Sequence, residues 1–209
     1  MRRFPPFANQ MTEDFPTPFA LASAVVASVA RVQAYRGPEW VPSVLEPSAG
    51  RGVFVRAIRA QWPSAALTVV EPNFAALDLE MEGADCVHTE TLEAYADRAA
   101  VADEKYDVII GNPPFSLAED HARLCLRLLR PGGTLALVLR LGFLASVGRL
   151  PFWAEHRPLA LQVLVPRPSF SPKGNDHSEY GLFVWVDKAP VLRVREGGQA
   201  AQLDWIKWR

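Results

Sequence analysis

Residues able to do chemistry gather in three stretches, the plainest being Asp107-Val108-Ile109-Ile110-Gly111-Asn112-Pro113-Pro114-Phe115. An apolar run meets a glycine and then two prolines that cannot continue a hydrogen-bonded ladder, so a buried strand must end at a stiff, irregular loop. In a doubly wound α/β sheet, ligands bind at the carboxyl ends of the strands. This loop would present there the Asn112 amide, the Pro113 carbonyl held by Pro114, and the Phe115 ring. Such a set suits a planar amine. The two oxygens can accept the amine's two hydrogens, turn its lone pair toward an electrophile and disperse the charge that develops, while the ring stacks on a base.

The second stretch, Glu46-Pro47-Ser48-Ala49-Gly50-Arg51-Gly52, follows an apolar run and opens a helix, so its glycines let the backbone approach a ligand closely. It lacks the Gly-x-Gly-x-x-Gly of dinucleotide sites, and Glu46 would repel a pyrophosphate but welcome an ammonium group. Glu71, nineteen positions beyond Gly52, ends the next strand, where an acid can accept both hydroxyls of a ribose. Together they describe an adenosine ligand with a charged amino-acid tail. The third stretch, 166–179, is a long, basic, proline-rich join between two strands, of a length that is usually functional or mobile. Arg167 and Lys173 there are candidate substrate contacts, and Phe170 reads either as a second stacking face opposite Phe115 or as an apolar anchor of the loop. With Arg140, Arg149 and Arg157 they could line a phosphate backbone.

The elements that must position these residues alternate. A helix capped by Thr17, with Pro18 in its first turn, runs to Gly37-Pro38 with Leu21, Val25, Val29 and Val32 at helical spacing. Strands follow at 44–46, 67–71, 85–88, 107–111 and 134–139. Between them the pattern predicts helices from Val53, from the cap Asn73 through Met81, over 92–100, and from the cap Ser116 through Leu128 and Leu129 to Pro131-Gly132-Gly133. Such alternation predicts a Rossmann-like parallel sheet with helices on both faces. The tail adds a helix over 141–153, strands at 159–165 and 180–186, an edge strand at 191–195, and Trp205 and Trp208 docked on the core or a partner.

With 209 residues, 49% hydrophobic and 22% charged, the chain reads as one domain, 1–209, with an irregular arm at 1–16. A net charge of −1 excludes a uniformly basic coat while permitting a basic face. Cys86 and Cys125 read as core thiols in a reducing, cytoplasmic setting. His88, His121, His156 and His177 have no ligand spacing, so no metal site is expected. No stretch has the apolar length of a membrane span, and the start lacks a secretory core, so a soluble protein without membrane association is expected.

In order along the chain, Glu46-Pro47-Ser48-Ala49-Gly50-Arg51-Gly52, Glu71-Pro72-Asn73 and Asn112-Pro113-Pro114-Phe115 resemble motifs I, II and IV of the S-adenosylmethionine-dependent amino-methyltransferases, the adenine-N6 DNA methyltransferases in particular. The tail from Arg167 to Trp185 resembles small phage and prophage members. The resemblance implies a seven-stranded sheet with an antiparallel last strand, and S-adenosylmethionine as cofactor with S-adenosylhomocysteine as product. It further implies that Thr17-Pro18 helps hold the methionine part and that Glu90 contacts the cofactor's adenine. The implied acceptor is adenine in DNA. The same loop serves relatives acting on RNA adenine or a protein glutamine, and a non-catalytic nucleic-acid-binding subunit is the reading from another class. A protein partner or a homodimer stays open, since residues 141–158 and 166–179 alone remain for target recognition.

Overall fold

The computed structural model describes residues 17–73, 83–170, 177–187 and 202–208. Among these, β1 (Ser43–Glu46), β2 (Ala66–Val70), β3 (Cys86–His88), β4 (Tyr106–Gly111), β5 (Leu129–Arg140), β6 (Ala160–Val165), β7 (Tyr180–Val186) and β8 (Gln202–Lys207) form one sheet. The strand order is β3-β2-β1-β4-β5-β7-β6-β8. The strands from β3 to β5 are parallel, and β7 runs antiparallel to both β5 and β6.

Buried on both faces, the central strands alternate between two cores. Val44, Val108, Ile110, Ala136 and Val138 pack with α1 (Phe19–Val32) and α2 (Val53–Gln61). Leu45, Ile109, Leu135, Leu137 and Leu139 pack with α3 (Leu92–Val101), α4 (Ala118–Arg127) and α5 (Leu150–Glu155). Leu21, Val25 and Val29, one helical turn apart on α1, are fully buried.

The expected Rossmann-like sheet is present, with eight strands in place of seven. The extra one, β8, pairs in parallel with β6 and leaves Trp205 exposed while Trp208 is buried and donates its indole N–H to the Pro166 carbonyl at 2.6 Å. α1 stops at Val32 and a 3₁₀ turn at Ala34–Arg36 leads to Gly37, whose φ of 86° ends it. Pro18, not Thr17, is its N-cap residue, and no side chain caps it. Ser116 likewise does not cap α4, because Phe115–Leu117 form a 3₁₀ turn first and Leu117 is the N-cap residue.

Pro131-Gly132-Gly133 lies inside β5 instead of closing a helix. Pairing with β4 shifts register there, and a Cβ on Gly133 would stand 2.9 Å from the Arg130 and Tyr106 carbonyl oxygens. Residues 141–153 break into 3₁₀ turns at Leu141–Ala145 and Val147–Arg149 before α5, because Gly142 and Gly148 interrupt the pattern and Pro151 fits only a first turn. Cys125 is buried, but Cys86 is exposed, since β3 is an edge strand. The arm at 1–16, most of the helix after Asn73 and the strand at 191–195 lie outside the described residues. No described helix is long and apolar enough to cross a membrane, and no described group of His, Cys, Asp and Glu could hold a metal.

Candidate active site

At the carboxyl end of β1 the chain turns through Pro47 to Gly52 into α2, with Gly50 at φ 50° and Gly52, the N-cap residue, at φ 81°. These are backbone conformations that a Cβ would strain. The Ala49 N–H donates to the Val70 carbonyl at 3.1 Å, pinning the turn to β2. Glu71 follows β2 directly and braces the turn. Its Oε2 accepts from the Gly50 N–H at 2.8 Å and its Oε1 from the Asn73 N–H at 2.9 Å.

Glu46 is fully buried. Its Oε1 receives a long, 3.4 Å contact from the Ser48 N–H, and its Oε2 has no hydrogen-bond partner among the described residues. Burial pushes this carboxyl well above the usual range, opposed by the Ser48 amide and reinforced by the Glu71 charge. Gly111, next to it on β4, has no room for a side chain: a Cβ there would collide with Glu46 Oε1 and lie 3.3 Å from the Pro47 ring. The glycine before Asn112 is therefore a packing requirement of the acid.

Asn112 leaves the end of β4. Its Nδ2 donates to Thr17 Oγ1 at 3.1 Å, while its Oδ1 is buried with no partner among the described residues. Pro113 is buried and Pro114 is extended, with φ −52° and ψ 127°. The Phe115 ring meets Tyr180 at 5.3 Å and Phe170 at 5.8 Å, and the Arg140 guanidinium lies over it at 4.6 Å. Arg140 and Tyr180 are paired across β5 and β7, a neighbourhood no linear spacing announces.

The structure thus brings Thr17, Glu46, Pro47, Ser48, Ala49, Gly50, Gly52, Glu71, Pro72, Asn112, Pro113, Pro114 and Phe115 to the carboxyl ends of β1, β2 and β4. Pro18 adjoins them as the cap of α1. One placement departs from an open stacking face. Phe170 is 2% exposed and edge-on to Phe115 and Tyr180, so it anchors the loop and presents no open stacking face. Glu90 is bound to Arg98 at 2.8 Å. Arg167 is exposed and donates to the His177 carbonyl, and Lys173 lies outside the described residues.

The basic set divides. Arg149 folds over Phe143 and toward Glu119, and Arg157 lines a groove of about 750 Å³ with Glu93, Arg123 and Asp187, by the Thr134 and Val186 ends of β5 and β7. That is the sheet end opposite Arg140. His121 is a core histidine. Buried on α4, it lies with Nδ1 3.1 Å from Ser48 Oγ, and burial pushes its pKa down to about 4.

Residues 38–143 match the model of the methyltransferase small domain. The chain belongs to this family. It is 32% identical over 95 residues to the release factor glutamine methyltransferase of Streptococcus pneumoniae, covering 46% of this chain and 34% of that protein. It is 32% identical over 104 residues to the ribosomal RNA small subunit methyltransferase C of Hahella chejuensis, covering 46% and 30%. The chain therefore spans about a third of the length of the curated relatives it matches. The M protein of the type I restriction enzyme EcoKI shares the fold, with a TM-score of 0.61 at 14% identity over 86% of this chain and 45% of that one. Other structures of this fold include a methyltransferase complexed with SAH.

S-adenosylmethionine is the cofactor that the family and the fold imply. The residues fit it. Glu46 Oε2 is a buried acceptor that an ammonium group would satisfy, the positive-φ glycines leave the backbone open to close approach, and Glu71 sets a carboxylate against the Gly50 backbone.

Proposed function

We propose that this chain transfers a methyl group from S-adenosylmethionine to the exocyclic N6 amine of adenine in DNA, leaving S-adenosylhomocysteine. The observation that carries the reading is Asn112 Oδ1, buried and without a partner among the described residues, at the end of β4, the strand next to the one that ends in Glu46. A buried acceptor without a donor calls for a ligand that brings one. Adenine's amine is a poor nucleophile because its lone pair is delocalised into the ring. Asn112 Oδ1 and the Pro113 carbonyl would each accept one amine hydrogen, favour a pyramidal nitrogen and direct the lone pair out of the ring plane. Both oxygens then face the positive charge that develops on nitrogen. When bound, S-adenosylmethionine supplies an electrophilic methyl group on a sulfonium. Glu46 and Glu71 would hold its amino-acid and ribose ends, and Phe115 would flank the adenine once Arg140 moves off its ring. The DNA acceptor is supported by the motif resemblance, by exposed Arg140 and Arg167 near the loop, and by the fold shared with a restriction-enzyme M protein.

The similarity to a release factor glutamine methyltransferase favours a second reading, transfer to a protein glutamine, which also presents a planar nitrogen with two hydrogens. Incubation of DNA, RNA and protein with labelled cofactor separates them. The expected product is N6-methyladenine in DNA, absent with Asn112→Ala. Label in protein alone establishes the second reading, label in RNA alone moves the acceptor, and cofactor binding without any product leaves a non-catalytic subunit.

A further inference from the structure

We infer that Thr17 is a positioning residue for methyl transfer: its hydroxyl anchors the Asn112 amide nitrogen and so leaves the amide oxygen facing the acceptor. The inference rests on the proposed function for what that acceptor is, and on geometry for the anchor. A carboxamide has nearly the same shape at its two ends but opposite hydrogen-bonding character. Rotated by half a turn about its last bond, Asn112 would present two N–H donors to an amine that is itself a donor. Nothing in the shape of the residue forbids that rotation, and a hydroxyl can accept from one end or donate to the other; the orientation present is the one with Nδ2 on an outside partner.

Thr17 is placed to be that partner. It precedes α1 as a capping residue would, yet Pro18 occupies the cap position without a side-chain bond, and the Thr17 hydroxyl reaches 95 positions along the chain to Asn112 Nδ2 at 3.1 Å. The other end of the same amide, Oδ1, is buried and has no partner among the described residues. One end held and the other vacant is the arrangement a reaction needing an acceptor requires, and it takes a backbone-capping hydroxyl away from its usual duty to achieve it. This assignment differs from contact with the cofactor's methionine part, because the two roles move different constants.

The test uses the full chain with Thr17→Val, which keeps the shape and removes the hydroxyl, and Thr17→Ser, which keeps the hydroxyl. With Thr17→Val, kcat should fall about 10- to 100-fold, the range that small misplacements of a reacting group produce. Cofactor Kd by calorimetry should stay within about twofold, and Thr17→Ser should stay close to wild type. Thr17→Ala replaces the valine variant if that one does not fold. A weakened cofactor Kd with unchanged kcat, or a serine variant as slow as the valine one, overturns the proposal. Independently of activity, the side-chain amide resonance of ¹⁵N-labelled Asn112 should shift and exchange faster in Thr17→Val. An unaltered resonance overturns the anchor even if no acceptor is methylated, whereas methylation of none by the wild type refutes the proposed function alone.

Discussion

Replacing Asn112 by alanine should move stability and turnover in opposite directions. The side chain makes one partly buried neutral hydrogen bond to Thr17, worth about 1 kcal/mol. It also keeps one buried acceptor without a partner among the described residues, which costs about 1 to 3 kcal/mol of desolvation. Removing both should leave the folded state unchanged or stabilise it by up to about 2 kcal/mol. For a chain of this size, 1 kcal/mol corresponds to about 2 to 4 °C in Tm. Turnover should fall by about 10²-fold or more, as when a positioned transition-state partner is deleted. Urea titration and thermal melts read the first quantity, and single-turnover transfer from labelled cofactor reads the second. A stability loss above about 1 kcal/mol would mean Oδ1 is satisfied within the protein, and turnover within about threefold of wild type would remove Asn112 from the chemistry. Gain of stability with loss of activity is the signature of a group kept for function.

Three further outcomes are expected. Ammonium binding favours ionised Glu46, whose carboxyl is pushed up by burial; cofactor affinity should therefore tighten as pH rises through that raised value, and Glu46→Gln should flatten the profile in calorimetry. The ligand-free protein should lose stability over the same rise, because its folded state holds the Glu46 proton more tightly than the unfolded chain does. Gly111→Ala should cost about 1 to 3 kcal/mol in denaturant titration and weaken cofactor binding, since its methyl needs the space of Glu46 Oε1. His121, depressed to about 4 by burial, is protonated in the unfolded chain before the folded one. Its share of stability, up to about 3 kcal/mol, should be present above pH 6.5 and disappear toward pH 4; urea melts with no such slope relative to His121→Gln would refute its burial as a neutral imidazole beside Ser48.

The elements were legible where local chemistry decides them. Apolar runs broken by Gly and Pro marked β1, β2 and β4, and the helical spacing of Leu21, Val25 and Val29 matched the buried face of α1. Local rules failed where distant chain competes. Pro131-Gly132-Gly133 reads as a helix stop, yet the pairing of β5 with β4 draws it into a strand, and β8 is a strand because β6 offers it an edge. Phe170 reads from sequence as either a stacking face or a loop anchor, and packing against Phe115 and Tyr180 makes it the anchor.

From the sequence alone came the order of strand and helix and the three motifs at strand ends, because periodicity and turn chemistry act over a few residues. Tertiary structure alone decided which end of the Asn112 amide is free, that Thr17 holds the other, that Arg140 covers Phe115, and that His121 meets Ser48. Each of these pairs lies on separate elements, so its geometry exists only once the sheet has closed on both cores.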